Sequence, residues 1–186
     1  MTERYITYLL WSNYGVKNKY FCKNRFIFWG GGKVGSWESD SFMMSRSRLC
    51  TDYEVKIVYQ DFLKEEEKKD KHKFLLETYE AKGENLKGKR TAPNYFIFVM
   101  PEGMVSEEEV VHRFPYASLK VITPGGAILT KIRKKLHPVK LDMRDTLLDK
   151  FYYENLTLNK IISQNYKKYK AGRLDIGKMF KQLRIK

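Results

Sequence analysis

Short apolar runs separated by long polar stretches run through the chain, and their spacing predicts a mixed set of helices and strands. Residues 3–11 (ERYITYLLW) place apolar side chains at helical spacing ahead of Gly15, which predicts a short N-terminal helix. Residues 19–29 (KYFCKNRFIFW) are aromatic-rich and read as extended. The GGGKVG loop over 30–35 follows them. It lacks the G-x-x-x-x-G-K-[ST] spacing of a phosphate cradle and is read as a flexible turn. Residues 38–45 and 49–58 read as two strands joined by a turn at Arg46, Ser47 and Arg48. Along the second strand Leu49, Thr51, Tyr53, Val55 and Ile57 share one face, assigned to the core, and Cys50, Asp52, Glu54 and Lys56 share the other, assigned to chemistry.

Residues 60–80 predict one helix with apolar contacts at Phe62, Leu63, Phe74, Leu75 and Tyr79 and a charged, solvated middle. The stretch 81–92 reads as a mobile basic loop. Residues 95–100 are apolar on both parities, the pattern of a buried central strand, and stop at Pro101. Ser106, Glu107, Glu108 and Glu109 mark a helix start, residues 118–122 and 127–132 read as strands around Pro124, Gly125 and Gly126, and residues 143–170 read as helix. The order helix, three strands, helix, strand predicts an α/β sheet with helices on its faces. Periodicity does not set the strand order.

The 186 residues suit one compact domain plus a tail, and 42% hydrophobic with 15% aromatic residues excludes a disordered chain. The longest apolar run is far below the roughly 20 residues of a membrane span, and no basic segment precedes an apolar one at the N-terminus. With only Cys22 and Cys50 and no CxxC spacing, neither a disulfide framework nor a zinc site is expected, and a cytoplasmic location fits. His72, His112 and His137 are too scattered to form a metal site with them. The net charge is +14, unevenly spread: 20 basic and 17 acidic residues occupy 1–130, against 16 and 5 in 131–186. A surplus of that kind attracts phosphate polymers or anionic lipid. Tyr152, Tyr153, Tyr166 and Tyr169 interleave with Lys150, Lys167, Lys168 and Lys170, which favours nucleic acid; the plain alternative is a solubilising tail.

The candidate chemistry is Asp40 followed fourteen residues later by Glu54, Val55 and Lys56. In a hairpin turning near residue 47, positions 40 and 54 fall opposite each other, so two carboxylates meet across adjacent strands. Hard oxygen ligands in that number suit Mg²⁺ or Mn²⁺. Lys56 lies about 7 Å further along the strand on the face of Glu54, placed to hold an attacking water or a phosphate oxygen. Glu38 shares the parity of Asp40 and is a further ligand candidate or a support behind the ligands. The competing reading is a solvated polar strand face.

The segments Trp37-Glu-Ser-Asp40, Tyr53-Glu-Val-Lys-Ile57 followed by Asp61-Phe62, Lys71-His72, Pro93-Asn94-Tyr-Phe and Val99-Met-Pro-Glu-Gly-Met104 together resemble the MmcB-like DNA-repair family of phages and bacteria. That family belongs to the PD-(D/E)XK, restriction-endonuclease-like, nuclease superfamily, and the resemblance covers about residues 35–155. It implies an α/β fold with a restriction-endonuclease-like α-β-β-β-α-β core, a mixed central sheet flanked by helices, over residues 1–132, and a basic helical C-terminal extension over 133–186. It further implies a metal-dependent DNA endonuclease or nickase using Mg²⁺ (or Mn²⁺). Asp40 and Glu54, with the Val55 carbonyl, would be metal ligands, and Lys56 the motif lysine. Asp61 would support the ligands from behind, and Lys71 and His72 would contact phosphate; helix-start capping and a solvated helix face are the competing roles for these three. Where the family tends to carry a Ser-Arg pair ahead of this aspartate, the chain has Val58, Tyr59 and Gln60. DNA is the expected partner and RNA the second candidate, with no membrane. A homodimer is one arrangement by which a duplex cutter reaches both strands. The alternative function is a non-catalytic nucleic-acid-binding or repair-accessory protein retaining the nuclease fold, and a third is a structural component whose basic tail binds an acidic partner.

Overall fold

The computed structural model describes residues 1–15, 20–87 and 90–140, with residues 20–27 and Trp29 described by backbone alone. The helix expected over 143–170 and the basic tail lie outside the described residues.

Helix α1 (Glu3–Leu10) starts at Thr2, whose hydroxyl accepts from the Tyr5 N–H, and ends in a single π turn over Trp11–Gly15. Strand β1 (Tyr20–Gly31) passes through a 3₁₀ turn at Gly32–Val34 into β2 (Gly35–Met44). Gly35, at φ 62° and ψ −139°, holds a conformation that a Cβ would strain. The 30–35 segment is therefore a tight strand connection. After a turn closed by Ser45 and Leu49, β3 (Cys50–Val55) is shorter than the predicted 49–58. The helix expected over 60–80 is broken into α2 (Tyr59–Leu63), a 3₁₀ turn (Lys64–Glu67) and α3 (Lys69–Glu80), with Lys68 outside helical geometry at ψ 49°. Glu65, on the 3₁₀ turn, is buried. Strand β4 (Tyr95–Pro101), helix α4 (Glu107–Arg113, capped by the Ser106 hydroxyl), β5 (Ser118–Ile122) and β6 (Ile128–Ile132) complete the described elements.

The strands form one six-stranded mixed sheet in sequence order. Strands β1, β2 and β3 make an antiparallel meander, β3, β4 and β5 run parallel, and β6 returns antiparallel. The helical segments after β3 and β4 supply the crossovers that parallel neighbours require.

Strand β4 lies inside the sheet and is apolar on both parities because both of its faces are covered. Phe96, Phe98 and Met100 pack with Phe62, Phe74, Leu75, Val110 and Phe114 from α2, α3, α4 and the turn after α4. Ile97 and Val99 join Tyr53, Val55 and Ile122 against Ile6 and Leu10 of α1. Asn94 ties the strand starts together: its side-chain oxygen accepts from the Cys50 N–H at 2.8 Å, and its amide donates to the carbonyls of His137 and Val139. Leu136 and His137 are buried against this same unit, so the chain stays packed on it beyond β6.

Candidate functional site

The β2–β3 register ends at the pair Ser41 and Tyr53; Asp40 and Glu54 are the next residues along each strand, and Asp40 feels the Glu54 charge, in line with the proximity the spacing predicts. Asp40 Oδ2 then accepts the Val55 N–H at 2.8 Å, which the departing strand no longer satisfies. The alternation of β2 shifts here: Trp37 and Ser39 donate to Asp52 at 3.1 and 2.6 Å, although Phe42 is the residue registered opposite it.

The Asp52–Glu54 face of β3 differs from the open polar face expected. All six residues of β3 are buried, and Glu54 is only 3% exposed beneath α3. An ionic cluster accounts for this burial. Glu54 Oε1 accepts from Lys56 Nζ at 2.7 Å and Lys68 Nζ at 3.4 Å, and Oε2 from Lys71 Nζ at 2.9 Å. The same three ammonium groups reach Glu65, Lys56 at 2.7 Å, Lys68 at 2.9 Å and Lys71 at 3.1 Å. Lys71 also lies over the Phe96 ring, 4.8 Å from its centroid. Two buried carboxylates are thus bridged by three lysines, and Asp52 adds a third negative charge close by.

His72 completes the arrangement between Glu65, 3.1 Å from Nε2, and the Tyr116 hydroxyl, hydrogen-bonded to Nδ1. Burial, then the neighbouring Lys71, hold its pKa below the ordinary value against the pull of Glu65. The imidazole is therefore neutral near pH 7. A carboxylate only accepts, so Nε2–H donates to Glu65 and Nδ1 accepts from Tyr116.

The electrostatics separate the acids. Burial pushes Glu54 up, but Lys71, Lys56 and Lys68 outweigh it and the net shift is downward. Burial likewise opposes ionisation of Glu65, and the His72 hydrogen bond with Lys71 and Lys56 holds it well below the carboxylate range. Burial would discharge Lys56 and Lys71, yet Glu54 and Glu65 raise both. Asp52 is pushed up to about 6 by burial, partly offset by Lys71. Half-buried Asp40 is pushed up to about 7, first by burial and then by the Glu54 charge, against the Val55 hydrogen bond and Lys56.

Of the residues singled out from sequence, Asp40, Glu54, Val55, Lys56, Lys71 and His72 come together. Glu38 and Asp61 are exposed and outside the cluster, Asp61 lying 4.0 Å from Lys64. The reading of the 60–80 middle as a solvated face is corrected at Glu65, Lys71 and His72, which are buried. Sequence reasoning missed Glu65, and it placed Asp52 on the chemistry face of β3 without giving it a role. Glu65 stands three residues after buried Phe62, on the stripe that faces the sheet, and Asp52 shares the parity of Glu54; those positions are the available signals.

No group of three or more His, Cys, Asp and Glu converges on one point among the described residues. What the site offers a cation is Asp40, Glu54 and a strand-end carbonyl. No described helix is long and apolar enough to cross a membrane. No family model and no curated protein matches the chain. Among solved structures it is similar to a protein of unknown function, SPO1766, from Silicibacter pomeroyi, at 12% identity over 77% of this chain and 79% of that one, with a TM-score of 0.44.

Proposed function

We propose that the chain is a metal-dependent DNA endonuclease or nickase of the restriction-endonuclease-like kind, with Mg²⁺ or Mn²⁺ held by Asp40, Glu54 and the Val55 carbonyl. The observation that carries this reading is the meeting of Asp40 and Glu54 where β2 leaves β3, with Lys56 next to both. The element order α1, β1 to β3, α3, β4 is also that of the α-β-β-β-α-β core.

The donors fit such a cation by charge and by number. Asp40 has a pKa near 7 because it is buried beside another carboxylate, and a divalent charge relieves that repulsion. Mg²⁺ takes one or two protein carboxylates and keeps several waters, so no larger acidic group is needed. Both Glu54 oxygens accept from lysines, but Lys56 and Lys68 each keep Glu65 as a partner. Glu54 Oε1 is therefore released without leaving an ammonium group unpaired, and Glu65 anchors the lysines from behind. When bound, the cation lowers the pKa of a coordinated water and offsets charge on the phosphate. As a ligand Asp40 would be ionised. Lys56, still anchored by Glu65, would hold the nucleophile or a phosphate oxygen and steady developing negative charge.

The test is a cleavage panel of single-stranded, nicked, flapped, branched and duplex DNA with Mg²⁺ and Mn²⁺. Product is expected on at least one substrate, and Lys56→Ala is expected to lower cleavage by about 10²-fold or more with DNA affinity nearly unchanged. Equal cleavage by that variant removes Lys56 from the role. The second reading, a binding protein that keeps the fold without catalysis, is favoured by the 3% exposure of Glu54 and its saturation by lysines. DNA affinity that falls steeply with salt, with no product on any substrate, selects it.

A further inference from the structure

Helix α1 covers only part of its face of the sheet. Ile6 and Leu10 pack on Tyr53, Val55, Ile97, Val99 and Ile122. An eight-residue helix is about 12 Å long, and adjacent strands stand about 4.8 Å apart, so one such helix spans less than the sheet's width. At the starting ends of β3, β4 and β5 a cavity of about 430 Å³ remains, lined by residues of five strands and Tyr14. That volume lies within the range of small-molecule sites. Thr51 and Tyr53 form part of its floor, and because side chains alternate along β3 it lies across the sheet from Glu54.

The lining has a definite chemistry. It holds two cations, Lys120 and Arg133, and no carboxylate. Lys120 Nζ donates to the Tyr14 hydroxyl at 3.0 Å and Thr130 Oγ1 at 2.8 Å, and lies 4.9 Å from the Tyr14 ring centroid. These partners take two of its three protons, and no carboxylate among the described residues pairs with its charge. Arg133 is exposed at the rim and makes no ion pair among the described residues. The Tyr14 ring lies 12° from parallel to Tyr53, and Tyr95 adds a third ring to the walls. A matching ligand carries a planar ring for the tyrosines, an anion for the two cations and a hydrogen-bonding group for the Thr130 hydroxyl.

We propose that this cavity binds a nucleoside monophosphate, its base against the tyrosines and its phosphate between Lys120 and Arg133. Charge complementarity commits the site to an anion, and the aromatic walls to a flat one. It is separate from the proposed cleavage site, and binding is read without divalent metal, so the two ideas fail independently.

The experiment is isothermal titration of the full chain with AMP, GMP, CMP and UMP, and with adenosine and inorganic phosphate as the separated halves. At least one monophosphate is expected to saturate with Kd below about 1 mM, and adenosine and phosphate each to bind about tenfold more weakly or worse. Lys120→Met is expected to weaken binding by about tenfold or more. Arg133→Gln, at an exposed position that leaves folding untouched, is expected to weaken it several-fold. The proposal is overturned if no monophosphate saturates, if inorganic phosphate binds as tightly as the nucleotides, or if both variants bind like the parent. Concentration-dependent self-association lost in Lys120→Met, without nucleotide binding, overturns it in favour of a second copy as the occupant.

Discussion

Glu54 and Asp40 stand on neighbouring strands, yet Glu54 accepts from three lysine ammonium groups and is held ionised, whereas Asp40 has one backbone N–H and is pushed up to about 7 by burial and by Glu54. Glu54 is the more deeply buried of the two. Depth of burial therefore does not rank their acidity; the distance to compensating charge does. A lysine cluster that neutralises one carboxylate leaves its neighbour poised near neutral pH, the condition in which a group responds to a cation or a proton.

The largest expected effect comes from breaking the compensated side. Lys71→Met leaves Glu54 and Glu65 short of a fully buried partner and is expected to cost about 3–5 kcal/mol, read from denaturant midpoints. Removing the uncompensated acid acts in the other direction. The folded pKa of Asp40 lies above the ordinary value of 3.8, so its contribution is fully present below about pH 4 and is lost as pH rises through 7. Stability of the parent is expected to fall across that window. Asp40→Asn, which keeps an acceptor for Val55 N–H, is expected to flatten the slope and to be more stable at pH 8 by about 1–3 kcal/mol after discounting for solvent screening. Thermal melts at pH 4, 6 and 8 measure this; a parallel pH profile in the variant removes Asp40 as the titrating group. Added Mg²⁺ is expected to raise the parent's melting temperature at pH 8 and not the variant's.

A smaller effect is expected at the edge of the cluster. Tyr116→Phe removes the donor to His72 Nδ1 and is expected to cost about 1–2 kcal/mol. The smallest belongs to Glu38→Gln, at an exposed strand position outside the cluster, expected within about 0.5 kcal/mol of the parent. A large loss there brings Glu38 back into the site.

Much of the sheet's outline was legible before any coordinates. A two-residue period brackets β2 and β3, the short polar turn between them sets the pairing near residue 47, and Asp40 therefore reaches Glu54 without further information. Double-sided apolarity identified β4 as an inner strand. The charged stretch after Phe62 misleads, because a run of Lys and Glu is ordinarily solvated, and the break at Lys68 has no proline or glycine to announce it. The shift in alternation along β2 that carries Trp37 and Ser39 to Asp52 is equally silent in the residue pattern.

Residue order alone determined that this chain forms strands and helices in alternation and that two acids and a lysine lie near one hairpin, since period and turn length are local properties. Only the tertiary structure decided the order of the six strands, the burial of Glu54, its sharing of three lysines with Glu65, and the cavity left beside α1. Those outcomes depend on which helix packs over which face, and the energy of a buried charge is set by neighbours distant in the chain.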